Sequence, residues 1–200
     1  MSNFNDFKRE STAALAVALR WFLLAVPTGL VCGLVGTAFH LAVETVTELR
    51  GQQPWLLFLL PVAGLAITAF YKWTKCEGVG TNNVIRAVQS GEPVSLLLVP
   101  AIFLGTVLTH LCGGSAGREG AALQMGGSIG WNVGVLLHLK DHDRRTATIS
   151  GMAAFFSALF GTPLTAALFA MTVEDVGLTF TSAFVPAFTS ALIAYGCSLS

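Results

Sequence analysis

The stretch that most restricts what this chain can become runs from Gly113 to Gly130, where seven of eighteen residues are glycine. Apolar segments flank it on both sides. Inside it stands one compact charged pair, Arg118-Glu119, with Gly117 before and Gly120 after. Glycine lets a backbone approach a ligand closely and adopt positive φ. The following run, Ala-Ala-Leu-Gln-Met, reads as the beginning of a helix. A helix that begins within a membrane aims unpaired N–H groups at whatever lies before it, and these groups together with the helix dipole attract an anion. A carboxylate held there would compete with that anion, which is how one glutamate and a helix end can form a gate.

The surroundings support a membrane setting. Of 200 residues 54% are hydrophobic and 11% charged, against about 25% charged in soluble domains; the mean hydropathy is +0.69. The formal net charge is zero, so nothing points to nucleic acid. Cys32, Cys76, Cys112 and Cys197 are widely spaced in or beside apolar stretches, and they read as buried free thiols without metal spacing. No cleavable signal peptide is expected, because the apolar run after the polar start is too long for one.

In chain order, residues 1–10 read as a short polar cytoplasmic arm, and 11–200 as one transmembrane domain. Lys8, Arg9 and Arg20 place the N-terminus inside. Ser11 to Arg50 reads as a long helical stretch interrupted by Pro27, with Gly29 and Gly33 as a helix-packing face. His40 reads as a packed, hydrogen-bonded histidine. After a turn at Gln52, Gln53 and Pro54, Trp55 to Trp73 is long enough to span. Trp55 at one end, and Tyr71 and Trp73 at the other, suit interfacial belts, with Lys72 and Lys75 on the cytoplasmic side. Cys76 to Gly91 reads as a Gly-rich turn, Gly78-Val79-Gly80-Thr81-Asn82-Asn83, and then a short helix. Val94 to Cys112 is a further apolar helix containing Pro100, and the helix after the glycine stretch extends to about Leu139. His138 and Lys140 through Arg145 form a solvated connection in which Asp141 or Asp143 can cap a helix. Thr146–Phe160 and Pro163–Val173 are paired helices broken at Gly161-Thr162-Pro163, with Glu174-Asp175 closing the pair. Thr181 to Cys197, with Pro186 inside, ends the chain. The reading is all-α and polytopic, with about eight helical pieces, several short or broken. Broken helices whose ends meet near the midplane mark secondary transporters and related channels.

Three motifs in register resemble the CLC family of chloride channels and anion/proton exchangers. Gly117-Arg118-Glu119-Gly120 is similar to that family's Gly-Lys/Arg-Glu-Gly-Pro signature. Gly151-Met152-Ala153-Ala154 through Phe160-Gly161-Thr162-Pro163-Leu164 to Phe169 resembles its paired helices joined by a Pro-Leu break. Gly78-Val79-Gly80-Thr81-Asn82 stands in place of its Gly-Ser-Gly-Ile-Pro. The resemblance implies a gating role for Glu119, and anion contacts from Gly78, Val79, Gly80, Gly117, Arg118, Gly120 and Ala121. It also implies chloride or fluoride as the transported ion, protons as a second ion, a homodimer and an inner (plasma) membrane location. Ala121 replaces the signature proline. Val79 replaces an anion-coordinating serine. Thr172 and Val173 stand where proton-coupled exchangers keep an internal glutamate. The changed serine and the missing internal glutamate are similar to the fluoride-exporting branch. The length matches one of the family's two inverted repeats, so a second half is expected to be missing.

The alternative is a membrane remnant that transports nothing. No nucleophile–base pair, metal cluster or phosphate loop points to an enzyme, a metal or a cofactor. Ser115, four residues before Glu119, has no histidine partner in the sequence and reads as helix-entry packing.

Overall fold

The computed structural model describes residues 2–172 and 183–199, with side chains from residue 19 onward. Among the described residues there are eight α-helices, one 3-10 turn and no strand. The helices are α1 (Ser2–Gln52), α2 (Leu60–Trp73), α3 (Thr81–Ser90), α4 (Leu98–Leu111), α5 (Arg118–Leu136), α6 (Asp141–Phe160), α7 (Pro163–Thr172) and α8 (Phe184–Ser198), with the 3-10 turn Pro54–Leu59 leading into α2. Among the described residues two stretches are long and apolar enough to cross a bilayer, Leu19–Gln52 and Pro54–Trp73. Val173, Glu174, Asp175 and Thr181 lie outside the described residues.

Proline placement explains several boundaries. Pro27 does not interrupt α1, contrary to the sequence expectation: the helix continues through it. Membrane helices tolerate an internal proline because neighbours re-satisfy the freed backbone groups. Pro100 and Pro186 sit at the third positions of α4 and α8, where the missing N–H would have had no helical partner. The expected helix from Val94 therefore starts only at Leu98, after a turn in which the Leu97 N–H donates to Ser95 Oγ at 3.3 Å. The break between α6 and α7 has a local cause. Gly161 takes φ +69° and its N–H donates to Ser157 O at 2.8 Å, and Pro163 then opens α7.

The core is built from backbones packed closely through small residues. α5 and α6 make the largest helix contact. A Cβ on Gly151 would overlap Gly126 O and stand 2.9 Å from the Gly130 backbone. Hydroxyls tie α8 to α6: Ser157 Oγ donates to Ala191 O, and Ser190 Oγ to Ser150 O, both at 2.9 Å. Where no solvent drives helices together, close approach and such hydrogen bonds hold them. Gly29 and Gly33 do form a packing face: a Cβ on either would stand within 2.9 Å of α8 atoms.

Two polar segments differ from expectation. The solvated connection shrinks to Leu137–Lys140, and Lys140, not an aspartate, is the N-cap of α6. Asp141 and Asp143 lie in the first turn, where carboxylates still favour the helix dipole. Asp143 is buried and pairs with Arg20 of α1. Tyr71 is half-buried near the end of α2, its ring 3.4 Å from where a Gly105 Cβ would be. Removing a partner from a buried pair strands the other charge, but Arg20 is half exposed. Asp143→Asn is therefore expected to cost about 1–3 kcal/mol, the penalty for an unsatisfied polar group. Thermal melts in detergent check this, and an unchanged midpoint would refute it.

Candidate functional site

The glycine stretch delivers Glu119 to the first turn of α5. The helix begins at Arg118, earlier than the sequence reading, with Gly117 as N-cap in an extended conformation and no side-chain cap. Glu119 is thus the second helical residue rather than the one preceding the helix. Its side chain turns back over its own helix end: a Cβ on Gly117 would stand 3.4 Å from Glu119 Oε2. The N–H groups of Arg118, Glu119 and Gly120 have no intrahelical acceptor. Glu119 is exposed, while Arg118 and Gly120 are half-buried and Ala121 is buried.

A second helix N-terminus meets this one. α3 begins after Gly80, where the Gly80 N–H donates to Asn83 Oδ1 and the Asn83 N–H to Gly80 O, both at 3.0 Å. Gln124 Nε2, one turn along α5, donates to Thr81 Oγ1 at 3.1 Å. A Cβ on Gly120 would stand 3.6 Å from the same hydroxyl. The first turns of α3 and α5 are joined side by side, with dipoles that both favour negative charge.

The predicted residues divide accordingly. Gly117, Glu119 and Gly120 gather at this junction. The N–H groups of Val79 and Gly80 are already engaged, with Cys76 O and Asn83 Oδ1 respectively; the Val79 side chain packs against the core. Gly78, at φ +71°, shapes the turn before α3. The Arg118 side chain lines a cavity against α1 and α4. Gly161, Thr162 and Pro163 break the α6–α7 pair, and α7 packs on α6 and α8. Thr81, Asn83 and Gln124 were missed. Gln124 is four residues after Gly120, hence on the same helix face, and was the readable signal.

This is the architecture of a polytopic α-helical membrane protein with helix ends converging on an acidic side chain. The model of the voltage gated chloride channel family matches residues 62–200, and the chain belongs to that family. It is 35% identical over 193 residues to the chloride/fluoride channel protein of Pseudomonas syringae pv. tomato, covering 95% of this chain and 43% of that protein. To the H(+)/Cl(-) exchange transporter ClcA of Cronobacter sakazakii it is 35% identical over 163 residues, 74% of this chain and 35% of the relative. The crystal structure of a CLC-type fluoride/proton antiporter superposes with TM-score 0.85 at 34% identity, covering 91% of this chain and 47% of that one. A slow cyanobacterial Cl-/H+ antiporter shares the fold with TM-score 0.74 at 24% identity, over 90% of this chain and 46% of its own. The chain spans less than half the length of these relatives. It is an integral membrane protein by family, and the CLC fold expected from its motifs is the fold it has.

Proposed function

We propose that this chain supplies one wall of an anion pathway that carries chloride or fluoride across the membrane, with Glu119 as its gate. The observation that carries the reading is the junction of two helix N-termini at Thr81 and Gln124, with the Glu119 carboxylate folded over one of them. The anion donors are the N–H groups of Thr81 and Asn82 on α3 and of Arg118, Glu119 and Gly120 on α5. An ionised Glu119 occupies the place of the anion; a protonated or displaced one yields it. This makes protons the natural second ion of an antiporter. Val79, without a hydroxyl, and the 35%-identical chloride/fluoride channel protein support fluoride as the preferred ion.

The opposing wall comes from a second repeat, carried on the same or another polypeptide, and the assembly is a homodimer in the inner (plasma) membrane. The test is efflux from liposomes loaded with chloride or fluoride. The chain alone is expected to insert without selective efflux. Mixed with the second half of the Pseudomonas syringae relative, it is expected to release anion. Efflux from the chain alone that vanishes with Glu119→Ala would overturn the one-wall reading. Silence in both arms would leave the non-transporting remnant as the answer.

A further inference from the structure

The cavity beside the gate is chemically distinct from it. It measures about 350 Å³ and is lined by Val43, Glu44, Thr47 and Glu48 of α1, His110 of α4 and Arg118 of α5. We propose that it is a second binding site for a small inorganic anion, held between Arg118 and His110 and bound more tightly as protons remove the negative charge of its lining. The proposal rests on the anion-transport reading only for the choice of ion.

The charges on the lining decide occupancy. Glu44 and Glu48 are one turn apart on the same face of α1, where like charges disfavour each other. With both ionised and His110 neutral, two carboxylates outweigh one guanidinium and the lining repels anions. One proton on His110 brings the sum to zero and gives the anion a second cationic partner. Of the neighbouring charged groups, His40 adds to this sum when protonated, while Arg50 and Glu119 lie outside the lining. His40 Nε2 stands 3.4 Å from Glu44 Oε1. Arg50 lies against Gly113, with its Nε 2.7 Å from where a Cβ would be, outside the lining. Glu119 is next in sequence to Arg118 but is not part of the lining.

His110 is built for the switch. Its Nδ1–H donates to Thr106 O at 2.8 Å, since a carbonyl can only accept. The neutral ring therefore carries a bare lone pair at Nε2, and protonation turns that atom into a donor. The volume sets the form of the guest. At about 30 Å³ per water the cavity holds a hydrated ion, so it should discriminate little between chloride and fluoride. Its position sets the side: Glu44 and Glu48 lie toward the opposite end of α1 from Arg20, which pairs with Asp143 in the first turn of α6, a segment that also carries Lys140, Arg144 and Arg145. The positive-inside rule then places the cavity on the outer face, where external pH acts on it.

The test uses the full chain in lipid nanodiscs with isotope-labelled histidine, the His110 ring resonance being assigned by its loss in His110→Asn. Chloride is titrated at about pH 5.5 and about pH 7.5, on either side of the ordinary histidine range. The expected result is a saturable shift, on the order of tenfold tighter at the lower pH, a typical coupling between two ligands. Glu48→Gln should tighten binding at the higher pH, and Arg118→Gln should abolish saturation. If Arg118→Gln does not fold, Glu48→Gln decides alone. Equal affinity at both pH values, or a shift that grows without saturating, overturns the proposal. Repeating the titration in Glu119→Gln separates the two sites: the amide frees the helix junction for an anion, so tighter binding in that variant at the higher pH would assign the signal to the junction and refute a second site, whereas an unchanged titration supports it. Silence in both liposome arms would fail the transport reading while leaving this binding measurable.

Discussion

Gly151→Val should prevent the chain from reaching its folded state. The new Cβ would overlap Gly126 O and stand 2.9 Å from both N and Cα of Gly130. These obstacles are backbone atoms in the middle of α5, so no rotamer change relieves them. Overpacking against side chains that can yield costs about 1–3 kcal/mol. With backbone on the opposing side the cost should reach or exceed the top of that range, a large share of a stability of about 5–15 kcal/mol. Gly64→Val is the control, because a Cβ there meets nothing within 4 Å. Melting in detergent, followed by circular dichroism, should show the first variant unfolded or far less stable and the second nearly unchanged. Equal midpoints would remove the close α5–α6 approach as a source of stability.

Glu119→Gln should flatten the dependence of anion flux on pH in a transport-competent assembly containing this chain. A carboxylate in the first turn of a helix gains about 0.3–1 kcal/mol from the dipole, and up to about 2 kcal/mol where partly buried. Glu119 is exposed, so the lower range applies, enough to hold an anion off the same N–H groups by up to roughly fivefold. The amide keeps the shape and cannot ionise, so flux should stay high wherever the native protein is closed by its ionised gate. An unchanged pH profile would sink the gating role of Glu119, while loss of all flux together with loss of insertion would show a folding defect, for which Glu119→Ala is the second variant.

Much of this was legible in the sequence, and the rest had physical reasons for escaping. Eight helical pieces, the Gly161–Pro163 break and the Gly29–Gly33 face could be read because apolar length, proline and small-residue spacing are local signals. Pro27 misled because the penalty for an internal proline is relieved by neighbouring helices, which a single chain does not display. Asp143 read as solvent-exposed because its partner, Arg20, is more than a hundred residues away in sequence. The same distance problem hid Thr81 and Gln124, whose hydrogen bond joins two helix ends separated by 43 positions. The longest small-residue ladder, Gly126, Gly130 and Gly134 against α6, lay unread within and just beyond the glycine stretch, whose obvious meaning was ligand approach.

That ladder also limits how the gate can move. Two helices touching backbone to backbone have no side-chain layer to absorb a slide or rotation, so α5 and α6 must travel as one rigid rod. Collective helix displacements take microseconds to milliseconds, whereas rotamer flips of exposed side chains take picoseconds to nanoseconds. With its helix clamped from Gly126 onward and its own side chain exposed, Glu119 has only the fast coordinate available within this repeat. On the proposed gating role of Glu119, opening within this repeat is a turn of one side chain about its own bonds.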